Sequence, residues 1–119
     1  MNINHWIEGA IVDQPDAPRA PVFNPATGQA TGQVALATND VVAHAVAAAK
    51  QAFPDWAATS PLRRARVMFR FKQLIEENHD RPAECITREH GQVFGDAKGE
   101  VVRGLAVVEH ACGIPAVLK

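Results

Sequence analysis

The sequence predicts an α+β chain, with short N-terminal strands followed by about four helices, and three observations carry that reading. Prolines and turn residues crowd the first 38 positions, with short apolar runs between them. From residue 39 onward, apolar residues recur at helical spacing. Helix start and stop signals then punctuate the remainder at intervals of 10 to 20 residues, the usual length of a globular helix. The chain therefore divides into a strand-and-loop part, 1–38, and a helical part, 39–119.

Taken in order, His5 to Gly9 and Ala10 to Asp13 read as a hairpin about Glu8-Gly9. Gln14 to Pro21 contains three prolines and reads as a loop, because each ring fixes φ and biases its predecessor away from helix. Val22-Phe23 is read as extended. Asn24-Pro25-Ala26-Thr27-Gly28 is a turn, with Asn-Pro to start it and Gly28 to accept positive φ. Gln29 to Leu36 follows as a strand, with a bulge expected at Gly32.

Thr38 or Asn39 can cap the first helix, and Asp40 in its first turn suits the helix dipole. Val42, Ala45, Val46, Ala49 and Phe53 form its expected buried stripe, and Pro54 is expected to end or kink it. Ser60-Pro61 starts the second helix as cap and first residue, with Val67, Phe71, Leu74 and Ile75 as the apolar face. Asp80 is expected to cap a third helix that ends at about His90, with Gly91 as its left-handed stop. A fourth runs from about Gly95 to Cys112, and Pro115 favours an end there. The strands are too few for a sheet that all four helices could cover. Either the helices form a bundle, or their apolar faces need a surface from outside these residues; packing favours the second.

Composition sets outer limits. At 119 residues there is room for one domain, and 47% hydrophobic residues argue against disorder. Twelve basic against thirteen acidic residues leave a net charge of −1, and the short run Arg63-Arg64-Ala65-Arg66 has acids nearby, so no nucleic-acid surface is expected. No apolar run approaches the roughly 18 residues that would span a bilayer, and no secretory signal pattern opens the chain. A cytoplasmic location is the default. Cys85 and Cys112 are expected to be structural thiols, since both lie in apolar helical contexts. The five histidines form no H-E-x-x-H, and His110 and Cys112, two apart on a helix, point to different faces, so no zinc site is expected. His44 is read as an ordinary polar-face or hydrogen-bonded residue.

One stretch carries a chemical suggestion. Gly91, Gly95 and Gly99 recur every fourth residue, and Arg103 continues the series. On a helix Gly95 and Gly99 would leave a shallow groove beside Arg103. One reading is close helix packing, with Arg103 paired to Glu100 at the surface. The other is that the groove admits a small ligand and Arg103 holds its carboxylate, which a guanidinium fork matches with two parallel hydrogen bonds. The spacing is wrong for a dinucleotide fingerprint.

Several blocks in order resemble the N-terminal region of the aldehyde dehydrogenase superfamily: Phe23 to Gly28, Ala52-Phe53-Pro54-Asp55-Trp56, Arg63 to Arg66, and Thr87-Arg88-Glu89-His90-Gly91-Gln92. Gln92 departs from the usual lysine. The stretch Gly99 to Cys112, with Val107-Val108-Glu109-His110-Ala111-Cys112, resembles the CoA-acylating methylmalonate-semialdehyde branch. The resemblance implies an α/β parent that oxidises malonate and methylmalonate semialdehydes with NAD and passes the acyl group to coenzyme A with loss of carbon dioxide. It implies Arg103 as the substrate-binding residue, and more weakly a monovalent-cation site from the carbonyls of Val22 and Phe23 with Glu100. It implies further that the catalytic residues and the NAD and CoA sites lie beyond this chain, which on that reading is part of a longer protein. Its partners would be the remainder of the dehydrogenase and, in the parent, further copies in a homo-oligomer. The alternatives are part of an aldehyde dehydrogenase with another substrate, or a stand-alone helical interaction module.

Overall fold

The computed structural model describes residues 1–118, so Lys119, at the end of the predicted helical part, lies outside the described residues. The chain forms two compact units, 1–58 and 59–119. The boundary between the units falls after the first helix, while strands give way to helices at residue 39.

The first unit holds strands β1 (Asn2–Ile3), β2 (His5–Ile7), β3 (Ala10–Val12), β4 (Arg19–Phe23) and β5 (Ala30–Ala35), then helix α1 (Asn39–Ala58). β2 and β3 make the expected hairpin, with Trp6 opposite Ile11. Glu8 and Gly9 both take positive φ, 54° and 77°, as a tight two-residue hairpin turn requires. The glycine adopts this conformation freely and the glutamate does so with strain. The Glu8 carboxylate Oε2 lies 3.2 Å from Nε2 of His44 on α1, so His44 is a hydrogen-bonded polar-face residue as read.

The other three strands form a sheet in the order β1-β5-β4, β1 parallel and β4 antiparallel to β5. The turn between β4 and β5 follows from Asn24. Its side-chain oxygen accepts from the Ala26 amide at 2.9 Å, its carbonyl accepts from Gly28, and Gly28 sits at φ 70°. The ladder slips by one residue at this end. Val22 pairs with Gly32 and Phe23 with Ala30, which leaves Thr31 as the extra residue rather than Gly32. The glycine serves another purpose, since a Cβ there would come 2.5 Å from the Met1 carbonyl oxygen, and its absence lets β1 lie close against β5. β4 is longer than the two extended residues read from sequence and takes in Pro21, whose missing N–H suits a strand at the sheet margin. Arg19 then ties hairpin to sheet through Asn4 and Asp13.

Thr38 caps α1, its hydroxyl accepting from the Val41 amide at 3.4 Å. Contrary to expectation, α1 continues through Pro54 to Ala58. The bond that Pro54 removes is the one to the Lys50 carbonyl, on an exposed stretch where water can serve that oxygen. The expected stripe is corrected as well. Only Val41 of α1 is buried, while Val46 and Phe53 are 62% and 66% exposed. Apolar spacing identified an amphipathic helix, but of the face so marked only Ala45 is half-buried and the rest stays exposed. Trp6 and Trp56 are likewise exposed, at 69% and 47%.

The second unit is helical: α2 (Pro61–Glu77), α3 (Asp80–His90), α4 (Phe94–Gly113) and a closing 3₁₀ turn at Ile114–Ala116. Ser60 caps α2 by accepting from the Arg63 amide, with Pro61 at the first position. Gly91 ends α3 at φ 80°. The core is small-residued. Ala83 and Ala97 are fully buried where α3 meets α4, Val101 joins them, and Ile75 and Ile86 pack against the cluster. Ala65, Val108 and Cys112 complete the buried set of the unit. On α2, Val67, Phe71 and Leu74 are exposed, and of the predicted face only Ile75 turns inward.

Charges join the helices outside this core. Lys72 of α2 lies 2.5 Å from Glu76 and 3.3 Å from Glu109 of α4. Asp80 was expected to cap α3, but it is the first helical residue, and its carboxylate accepts from Lys98 of α4 at 2.6 Å. The hydrogen bond from Lys98 holds the Asp80 carboxyl below its usual value. A carboxyl depressed in the folded state contributes stability above its unfolded pKa and loses that contribution as pH falls through the depressed value. Asp80→Asn is therefore expected to lower the denaturant midpoint at about pH 7. The loss should shrink as pH falls through and below the ordinary carboxylate range. Unfolding curves across that pH range check this.

Candidate functional site

α4 is the helix on which a site can be built, because it is apolar on both sides. Ala97, Val101, Val108 and Cys112 face α2 and α3. At 100° per residue, Gly95, Gly99, Val102, Ala106 and Arg103 fall on the opposite side. Apolar residues on a second side of a helix call for a covering surface, and here the outer side, which also carries Arg103, is open. Val102 and Val107 are 54% and 70% exposed, and a Cβ added at Gly95 or Gly99 would meet nothing within 4 Å. The structure thus brings Gly95, Gly99 and Arg103 onto one face, as their spacing predicted. Gly91 drops out of the series because it terminates α3.

The Arg103 side chain is 76% exposed and reaches back along the helix. Its Nη1 donates to Oε1 of Glu100, three residues earlier, at 3.0 Å. The ion pair that the sequence offered as one reading is therefore present, whereas the helix packing offered with it is not seen among the described residues. Only one nitrogen of the guanidinium is engaged in that pair. Among the described residues Nη2 and Nε have no partner, and that edge can present two parallel donors to a planar anion.

The other predicted residues are placed as follows. Val22 and Phe23 lie on β4 in the first unit, where the Val22 carbonyl accepts the Thr31 hydroxyl at 3.3 Å. Glu100 lies on α4 in the second unit, held by Arg103. Among the described residues no group of three or more histidine, cysteine or acidic side chains is placed to hold a metal ion. Cys112 is buried, but Cys85 is exposed, with its sulfur 3.5 Å from Nη2 of Arg88. The expectation of a buried Cys85 fails because α3 is covered only along the face of Ala83 and Ile86. Among the described residues, no helix is long and apolar enough to cross a membrane.

Comparison with known proteins gives a consistent result. The sequence pattern of the aldehyde dehydrogenase family matches residues 11–119. The chain is similar to malonate-semialdehyde dehydrogenase of Pseudomonas aeruginosa, with 44% identity over 117 residues, covering 98% of this chain and 23% of that protein. It is similar to the mitochondrial acylating methylmalonate-semialdehyde/malonate-semialdehyde dehydrogenase of Rattus norvegicus, with 43% identity over 113 residues, covering 95% of this chain and 21% of that protein. Among solved structures, one described as a methylmalonate-semialdehyde dehydrogenase of Sinorhizobium meliloti in complex with NAD matches at TM-score 0.95 and 47% identity, over 100% of this chain and 24% of that chain. The present chain spans about a quarter of the length of these relatives.

Proposed function

The chain belongs to the aldehyde dehydrogenase family, and on that premise we propose that it is the N-terminal part of an NAD-dependent, CoA-acylating methylmalonate-semialdehyde dehydrogenase. The observation that carries the proposal is Arg103, a cation with a donor edge to spare, on the small-residue side of α4. The relatives named for carboxylated aldehydes agree with an anion-binding residue at that place.

In this reading the parent oxidises malonate or methylmalonate semialdehyde and transfers the acyl group to coenzyme A, releasing carbon dioxide. NAD and CoA supply hydride acceptance and acyl acceptance when bound, and no residue of this chain is assigned to either. The contribution of these residues is substrate orientation. The guanidinium fork receives the carboxylate through two hydrogen bonds, which fixes the distance and direction of the aldehyde at the other end of a short molecule. Gly95 and Gly99 keep the approach open, since any larger side chain would narrow the groove beside Arg103. The exposed apolar sides of α1, α2 and α4 are the surfaces on which the remainder of the dehydrogenase would rest. Homo-oligomeric assembly of the parent and a cytoplasmic location belong to the same reading.

The isolated 119-residue chain is expected to form no NADH from malonate semialdehyde, NAD and coenzyme A. The full dehydrogenase carrying this segment is expected to form NADH and acetyl-CoA together. Absorbance at the NADH band and chromatography of the acyl-CoA product measure both. NADH from the isolated chain, or oxidation without acyl-CoA in the full enzyme, would refute the proposal.

A further inference from the structure

Arg103 is not an unoccupied anchor awaiting an anion. Its Nη1 already rests 3.0 Å from a carboxylate oxygen of Glu100, and that pair is local, on one turn of one helix. The positive charge is therefore cancelled before any substrate arrives. We propose that Glu100 is the resident partner of Arg103 and that the carboxylate of the substrate displaces it. This rests on the reading of Arg103 as the carboxylate anchor.

The geometry suits an exchange. The two side chains lie three residues apart on one helix, and ion pairs at this spacing are weak enough to be replaced by a better-fitting anion. Glu100 engages one nitrogen only, whereas a small carboxylate can take two in parallel, so the incoming group has the geometric advantage. A neutral pair also exerts little pull at a distance, so selection rests on the shape of the fork rather than on net charge. After the carboxylate leaves as carbon dioxide, Glu100 can return to Nη1, and the guanidinium is never left without an anionic neighbour.

The test is Glu100→Gln in the full dehydrogenase, with malonate semialdehyde and propanal as paired substrates. The expected result is a KM for malonate semialdehyde lower by about two- to five-fold, the worth of one exposed ion pair. A steeper fall of kcat/KM with added salt should accompany it, because the anchor now carries net charge. The KM for propanal should not change. An unchanged or raised KM for malonate semialdehyde overturns the proposal, as does an equal fall for propanal. Arg103→Leu separates the two layers. If it leaves carboxylate selectivity intact, the anchor reading fails and this inference with it. If it abolishes selectivity while Glu100→Gln alters nothing, the anchor stands and the resident partner does not. In the Arg103→Leu background, Glu100→Gln is expected to have no effect on either substrate.

Discussion

Arg103→Leu in the full dehydrogenase is expected to lower kcat/KM for malonate semialdehyde about 100-fold while changing that for propanal by less than about threefold. The first figure follows from the bonds lost. A hydrogen bond to a charged group contributes about 1.5–3 kcal/mol, and two parallel ones, partly replaced by water in the variant, amount to about 3 kcal/mol, or about two decades in rate. The second follows because propanal has no group for Arg103 to hold. Arg103→Lys should fall between the two, since an ammonium keeps the charge but not the fork. Steady-state kinetics on the two aldehydes decide the matter. A loss shared equally by both would mean that Arg103 shapes the groove without recognising a carboxylate, and would return the chain to an aldehyde dehydrogenase of another specificity.

The second large effect concerns stability. Ala97→Leu is expected to destabilise the helical unit by about 1–3 kcal/mol through overpacking. Ala97 and Ala83 have no exposed surface, and Val101, Ile75 and Ile86 close around them. A leucine there must push α3 and α4 apart, because the contacts are already made by fully buried alanines. Ala106→Leu, on the exposed side of the same helix, is the control and should stay within about 0.5 kcal/mol. Thermal melts followed by far-ultraviolet circular dichroism compare the two. Equal midpoints for both variants would show that the alanine contact is not the seat of the unit's stability.

Much of this architecture was legible because it is local chemistry. Glu8-Gly9 specified a hairpin, Asn24 to Gly28 a turn, Ser60-Pro61 a helix start and Gly91 a helix stop, and each is satisfied by atoms within a few residues. The readings that failed all depended on distant atoms. The Val42-to-Phe53 stripe was read as buried, but periodicity identifies an apolar side of a helix without saying what covers it. Asp80 looked like a cap until Lys98, eighteen residues away, claimed its carboxylate. Pro54 looked like a break because the sequence does not reveal whether the orphaned carbonyl remains in water. The two-residue strand β1 was too short to leave a pattern, and only its backbone approach to Gly32 betrays it. For the site, spacing placed Gly95, Gly99 and Arg103 on one side of α4, while the choice between an ion pair and an anchor required coordinates. In the structure Arg103 is paired through Nη1 alone.

Both tryptophans, Trp6 and Trp56, lie in the first unit and face solvent, and the chain has no tyrosine. Intrinsic emission is therefore a one-sided gauge. It begins at the long wavelength of a wetted indole and moves to the blue when something settles over the strand-and-α1 half.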